Sequence, residues 1–334
     1  MSKDTSYSKK LTLVYLQELF LERTDETHYI RMPEILSYLE ERNTFVDRRT
    51  IYTDLQLLNY AGFEIVGVQE KGGYKYHHPS RLFTTNELKF LIDSVASSKF
   101  LTEKKSKELI SKIKTLGSSF DNESFNRNIL LGKRIKSMND KVFKNLDNIY
   151  AALNNNSQIT FQYMKWNYLR QLEYMNKGQL YTVSPFAVSL SDDNYYLVAF
   201  DNNSQHLRHY RIDKMKSLKL TFEPREGKEH FKSFDIVDYT QKTFGMFTGR
   251  EETVSFEVYN SLAGVFVEKF GDAAHLRKSL NNPNTFIARV TVYTSPQFYG
   301  WVFGLGKGIK ILSPESVITE FVDTTKEILS KYQP

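Results

Sequence analysis

The stretch DRRTIYTDLQ gathers Arg48, Arg49, Thr50, Tyr52, Thr53 and Gln56 behind a single aspartate, Asp47. Two guanidinium groups, three hydroxyls and a carboxamide form the set of donors that duplex DNA requires. An arginine pairs through two hydrogen bonds with O6 and N7 of guanine, and each such contact separates the right base from a wrong one by about 1–3 kcal/mol. Threonine and tyrosine hydroxyls suit phosphate oxygens, and a helix N-terminus favours an anion in its own right.

For that chemistry to work, one helix must turn these groups outward. Asp47 is placed as N-cap, where its carboxylate accepts from the free amides of the first turn. Ile51, Leu55 and Leu58 then recur at i, i+4 and i+7 and must face a core. A rotation of about 100° per residue sets Arg49, Thr53 and Gln56 on the opposite side, flanked by Tyr52, with Arg48 projecting from the first turn. Two further helices precede it, one over residues 8–22 and one starting at Met32-Pro33 that buries Ile35, Leu36 and Leu39. Two β-prone runs follow, 63–68 and 74–76, around the turn Lys71-Gly72-Gly73. Three helices and a hairpin over residues 1–82 read as a winged helix-turn-helix, with Lys71 and Lys75 near the tip of the wing against the DNA backbone. The same periodicity also suits an ordinary amphipathic helix in a bundle.

The 334 residues are 40% hydrophobic and 25% charged, enough for two or three globular domains. The absence of cysteine excludes disulfides, zinc–cysteine sites and thiol nucleophiles. The polar opening MSKDTSYSKK and the lack of any bilayer-length apolar run point to a cytoplasmic protein with no membrane partner. The net charge of +6 is unevenly spread: residues 1–80 hold 10 Lys/Arg against 12 Asp/Glu, whereas residues 81–145 hold 14 against 7. Charge alone therefore does not nominate the N-terminus for DNA.

Residues 83–145 read as a helical connector. Thr84 and Glu87 have capping-box spacing, and 122–128 reads as a loop. The connector's lysines and arginine (among them Lys104, Lys105, Lys112, Lys133, Arg134 and Lys136) are either a solvated helix surface or an aid to holding nucleic acid. Five β-like runs follow a helix at 142–153, namely 159–163, 180–190, 195–200, 207–212 and 216–222. Separated by polar turns such as Ser191-Asp192-Asp193-Asn194, they suggest a small barrel over 146–232. Residues 233–334 alternate strand, helix, two strands, helix, strand and helix, an α+β sandwich of the ferredoxin-like kind.

Within the middle segment, Ser184-Pro185, the run from Asp193 through Tyr195-Tyr196-Leu197 to Asp201, and Leu207-Arg208-His209-Tyr210-Arg211-Ile212-Asp213-Lys214 resemble the WYL domain. The tryptophan of that family's Trp-Tyr-Leu motif is replaced here by Tyr195. The ending from Tyr299-Gly300-Trp301 through Gly306-Lys307-Gly308 to Pro314-Glu315 resembles the family's C-terminal WCX-type extension. The resemblance implies a DeoR-like winged helix, a connector, an Sm/SH3-like barrel and that extension, in this order. It also implies a homodimeric, ligand-responsive transcription factor whose barrel senses a nucleic-acid or nucleotide effector. Carried over by position, the effector surface comprises Ser184, Tyr196, Arg208, His209 and Arg211. In a strand Arg208 and Tyr210 point one way, and His209 and Arg211 the other. Guanidinium groups beside hydroxyls and rings suit a phosphodiester and a stacked base. The alternative is that Arg208 and Arg211 pair with Asp201 and Asp213 and hold the barrel together.

Other motifs lead nowhere. His77-His78 and His206…His209 lack a chelating arrangement, and Gly304-x-Gly306-x-Gly308 follows a helix without the spacing of a phosphate loop. No Gly-x-Ser-x-Gly elbow occurs, so neither an enzyme nor a metal or other cofactor is expected. The expectation is an operator-binding regulator; the alternative is a nucleic-acid-binding accessory or defence-associated protein without promoter-specific regulation.

Overall fold

The computed structural model describes residues 4–128, 141–191, 193–231, 236–247 and 249–332. Lys133, Arg134 and Lys136 of the basic connector, and Asp192 of the 191–194 turn, lie outside the described residues. The chain is mixed α/β and divides into two compact units, 1–138 and 139–334.

In the first unit α1 (Asp4–Arg23), β1 (Ile30–Arg31), α2 (Met32–Glu40) and α3 (Arg48–Tyr60) precede β2 (Val66–Glu70) and β3 (Gly73–His77). Leu16, Leu19 and Phe20 of α1, Ile35 and Leu39 of α2, and Ile51, Leu55 and Leu58 of α3 form one core with Tyr76 of β3. The strands make a three-stranded antiparallel sheet in the order β1-β3-β2, and Glu70 faces Gly73 across a two-residue turn. Gly72 and Gly73 both have positive φ there (107° and 122°), a conformation that residues with a Cβ adopt only under strain. Asn59 fastens the end of α3 to the next segment: its side chain donates to the Leu55 and Ile65 carbonyls and accepts from the Ile65 amide. β1, only two residues long, had no signal in the sequence.

The unit continues with α4 (Thr85–Ser97), α5 (Glu103–Lys114) and α6 (Ser119–Asn128), packed around Leu88, Ile92, Ile110 and Phe125. The Thr84–Glu87 capping box forms as its spacing requires. Residues 122–128, expected as a loop, belong to α6. Ser118 and Asp121 bond reciprocally at its start, amide to side chain in both directions, so aspartate takes the place of the usual glutamate in the box. Ser118 Oγ also donates to Asp25 at 3.0 Å, and His28 stacks on Phe120 at 3.6 Å, which ties α6 to the segment after α1.

The second unit begins with α7 (Val142–Asn154) and an antiparallel sheet of β4 (Ser157–Trp166), β5 (Leu172–Tyr174), β6 (Leu180–Ser191), β7 (Asn194–Asp201), β8 (His206–Arg211) and β9 (Met215–Pro224). The order is β5-β4-β6-β7-β8, and β9 pairs with β4. β8 and β9, joined by a tight turn over Ile212–Lys214, do not pair with one another, so the sheet is open where a closed barrel was expected. Asn145 of α7 holds that turn by donating to the Ile212 and Met215 carbonyls. After α8 (Ile236–Lys242) come β10 (Arg250–Tyr259), α9 (Ala263–Phe270), β11 (His275–Lys278), β12 (Thr285–Thr294), α10 (Pro296–Gly304), β13 (Ile309–Ser313) and α11 (Glu315–Ser330). Their sheet is antiparallel with the order β11-β12-β10-β13, the strand–helix–strand–strand–helix–strand arrangement of a split βαβ sandwich. Its core is rich in phenylalanine: Phe256, Phe266, Phe270 and Phe298 are fully buried. No described helix is long and apolar enough to cross a membrane.

Candidate functional site

α3 presents the polar face that the sequence requires. Asp47 Oδ1 accepts from the Thr50 amide at 2.7 Å, and that bond is the main reason its carboxyl lies below the ordinary carboxylate range. Ile51, Leu55 and Leu58 are buried, whereas Arg48, Arg49, Tyr52, Thr53 and Gln56 are exposed and Thr50 is half-buried. Among the described residues neither Arg48 nor Arg49 forms an ion pair, and the Arg49 charge contributes a little to holding the Asp47 carboxyl down. Thr53 Oγ1 donates back to the Arg49 carbonyl at 3.1 Å. Tyr52 is differently employed: its hydroxyl bonds that of Tyr76, and burial together with this bond pushes the Tyr76 phenol up to about 12. It therefore links α3 to β3. Asp54, on the inner side of the helix, was not singled out from the sequence. Its Oδ2 is buried without a hydrogen-bond partner, and burial raises its carboxyl.

At the hairpin, Lys71 is exposed, but Lys75 is held along the strand, 3.5 Å from Glu70 and 4.2 Å above the Tyr29 ring. Arg31 of β1 joins the same carboxylate at 2.7 Å and adds a cation that sequence reading missed. Further along, Lys105 and Lys112 both bond Glu108, and Lys107 bonds Glu103, all on the α5 surface. These three lysines make the exposed helical pairs of a solvated face.

The five residues carried over to the effector surface separate. β7 and β8 pair without a register shift, Tyr196 opposite Arg211 and Ala199 opposite Arg208. Cross-strand partners share a face, so Tyr196, His209 and Arg211 lie on one side and Arg208 on the other. Ser184 pairs with Phe200 and falls on the Tyr196 side. It is fully buried, donates to Asn202 and accepts from the Glu226 amide at 2.9 Å. Arg211 grips Asp213 through Nε (3.1 Å) and Nη2 (2.9 Å), and Nη2 also donates to Asn194 at 2.6 Å. Its backbone amide donates to the Tyr163 hydroxyl, a phenol that burial pushes up to about 12.

Across the sheet, Arg208 Nε lies 3.4 Å from Asp201, which also accepts from the Tyr210 hydroxyl at 2.8 Å. Burial pushes the Asp201 carboxyl up, but Tyr210 and the Ser204 and Asn203 amides outweigh it and hold the group below its ordinary value. Both arginines thus have the internal partners that the sequence offered as the alternative. His209 packs against Tyr239 of α8, ring centroids 5.1 Å apart, with Nε2 buried and unpartnered. Burial drags its pKa down to about 4. Glu226, Gly227 (whose added Cβ would meet the Phe200 ring at 2.4 Å) and α8 together cover this face. Sequence spacing reveals side-chain direction within a strand, but not which later segment folds over it.

Comparison with known proteins gives this sheet a family. The WYL domain model matches residues 144–220, and the WCX domain model matches residues 250–329. The chain carries a WYL domain followed by a WCX domain. Its WYL domain comprises α7 and most of the six-stranded sheet, and its WCX domain the split βαβ sandwich with α11. Among solved structures, the proteasome accessory factor B/C (PafBC) of Arthrobacter aurescens is similar at 15% identity and a TM-score of 0.26. That likeness covers 95% of this chain, which spans 46% of the other. A CRISPR Cas-related protein is similar at 14% identity and a TM-score of 0.37, covering 98% of this chain and 85% of that one. No curated protein sequence matches.

Proposed function

We propose that this WYL-domain protein is a DNA-binding transcriptional regulator, acting as a repressor whose occupancy of an operator is set by a nucleic-acid or nucleotide effector. The observation that carries the reading is α3: a capped helix with its leucines buried, two unpaired arginines with Thr53 and Gln56 exposed, and a glycine-turned hairpin immediately after it. In this reading residues 1–82 are a winged helix-turn-helix, α3 lies in the major groove, and Lys71 on the β2–β3 hairpin meets the backbone. The protein works as a cytoplasmic homodimer joined through its WCX domain, without catalysis or cofactor. For the effector to change occupancy it must bind the DNA-competent and incompetent arrangements with different affinity.

Sequencing the duplexes that the purified protein retains from a random pool tests this. The expected result is a preferred site with two half-sites about 34–36 Å apart, or a multiple of that spacing. Retention without any base preference would contradict the regulator reading and favour a nucleic-acid-binding accessory or defence-associated protein.

A further inference from the structure

The WCX sheet holds a cluster of donors that the proposed regulator role does not use. β11 is four residues long and pairs with β12 only from Phe286 to Arg289, so among the described residues β12 runs on past it with no strand on that edge. α8 stands there instead, its Tyr239 packed on Tyr293. A cavity of about 430 Å³ remains between α8, the end of α9 and the two strands. Register decides which side chains enter it. Val254, Val290 and Val292 are buried in the core, so Thr253, Arg289 and Thr291 point to the opposite face. Arg289 lies directly across from His275, and Thr253 directly across from Thr291, which sets all four on that face. Where β11 is missing, the cavity reaches past the β12 edge to Val290 and Phe270.

The facing wall is held in place. The Tyr239 ring packs on both Tyr293 and His209, with centroids 5.1 Å apart in each pair, and Lys242 bonds Glu251 at 2.8 Å. Asp238, the acid in the lining, is taken by Lys242 at 2.6 Å, so the lining keeps one cation over, Arg289. Among the described residues the side chains of Arg289, His275 and Gln241 form no hydrogen bond or ion pair. A guanidinium takes two oxygens of an anion side by side. The imidazole N–H, the Gln241 carboxamide and the hydroxyl hydrogen left over by the Thr253–Thr291 pair (3.1 Å) call for more. A carboxylate is used up by Arg289 alone, whereas a phosphoryl group carries three acceptor oxygens. Val290 and Ala273 offer carbon to a short organic group, but Phe270, only 2% exposed, has no face left for a base.

We propose that this cavity binds a small phosphate monoester, with Arg289, His275, Gln241 and the threonine pair on the phosphoryl oxygens and Val290 with Ala273 against the organic group. The site is separate from the outer face of α3 and from the WYL residues Arg208 and Arg211, and it stands whether or not the regulator reading does.

The test titrates the full chain by calorimetry with glycerol 3-phosphate, inorganic phosphate and adenosine monophosphate as separate arms at constant chloride. Glycerol 3-phosphate should fill one site per chain and bind more tightly than inorganic phosphate. Equal affinities would overturn the monoester and leave the free anion as ligand, and tighter binding of adenosine monophosphate would overturn the small organic group. Arg289→Ala should weaken binding by between about 10-fold and about 150-fold. Arg289→Lys should recover only part of that, because an ammonium cannot make the paired bonds. His275→Ala should weaken binding by between about 2-fold and about 13-fold. Arg277→Ala removes the same charge two residues along β11, outside the cavity, and should leave binding as it is. All three side chains are exposed, so the variants should keep the wild-type unfolding midpoint. No saturable heat from either phosphate, or equal weakening by Arg277→Ala and Arg289→Ala, would overturn the site.

Discussion

Replacing His209 by phenylalanine should remove an acid sensitivity from the folded protein. The His209 ring lies against Tyr239, and Nε2 is buried with no partner, so a proton there would add a charge that nothing solvates. Burial accordingly lowers its pKa from 6.5 to about 4. Because the folded-state value is depressed, the unfolded chain takes up the proton first as pH falls. The contribution is complete above the unfolded value and is lost as pH drops from 6.5 towards 4. Linkage puts the loss at about 1.4 kcal/mol at pH 5.5 and about 2.5 kcal/mol at pH 4.5. Phenylalanine keeps the ring contact with Tyr239 and cannot titrate. Urea unfolding followed by tryptophan fluorescence, for wild type and His209→Phe at matched pH values, gives the difference directly. His78, Asp25 and Asp201 also titrate, but alike in both proteins, so they cancel. The variant should gain on the wild type steadily below about pH 6.5. A stability difference that stays flat from about pH 7.5 to about pH 4.5 would refute the reasoning, because it would mean that His209 has a partner or is solvated in the native state.

Other substitutions follow from single contacts. Asp47→Ala removes the Thr50 amide's acceptor and should cost about 1 kcal/mol of stability, read as a lower unfolding midpoint with α3 still helical by circular dichroism. Asp201→Asn disturbs the carboxylate shared by Tyr210, Arg208 and two backbone amides, and should cost about 1–3 kcal/mol in urea unfolding. Arg211→Ala removes the side-chain bonds to Asp213 and Asn194 and should cost about 2–3 kcal/mol. If Arg211 also serves the effector, gel shifts with and without added oligonucleotide should show operator binding retained and the effector response lost.

Local rules were legible where they act alone. The cap of α3, its buried leucines and the Thr84 box follow from spacing, and so do the strands β4, β6, β7, β8 and β9 and the alternation of the WCX domain. What escaped depends on partners distant in sequence. β1 is a strand only because β3 lies beside it, and β5 needs the Asn167 turn to fold back onto β4. α6 looked like a loop because asparagines and serines dominate it, while Ser118 and Asp121 supply its cap. At the candidate effector surface, strand alternation correctly divides Arg208 from His209 and Arg211. Glu226, Gly227 and α8, which cover that face, and the exposed aromatics of the β4–β5 hairpin carry no periodic signal, and only the fold reveals them.

The central claim is that the outer face of α3 reads duplex DNA, and Arg49 tests it most directly. Wild type and Arg49→Ala would be compared for the duplexes that each retains from the same random pool. The account predicts that the variant stays folded, loses its preference at one guanine in each half-site by about 1–3 kcal/mol, and keeps the half-site spacing. Identical base preferences in the two proteins would contradict it.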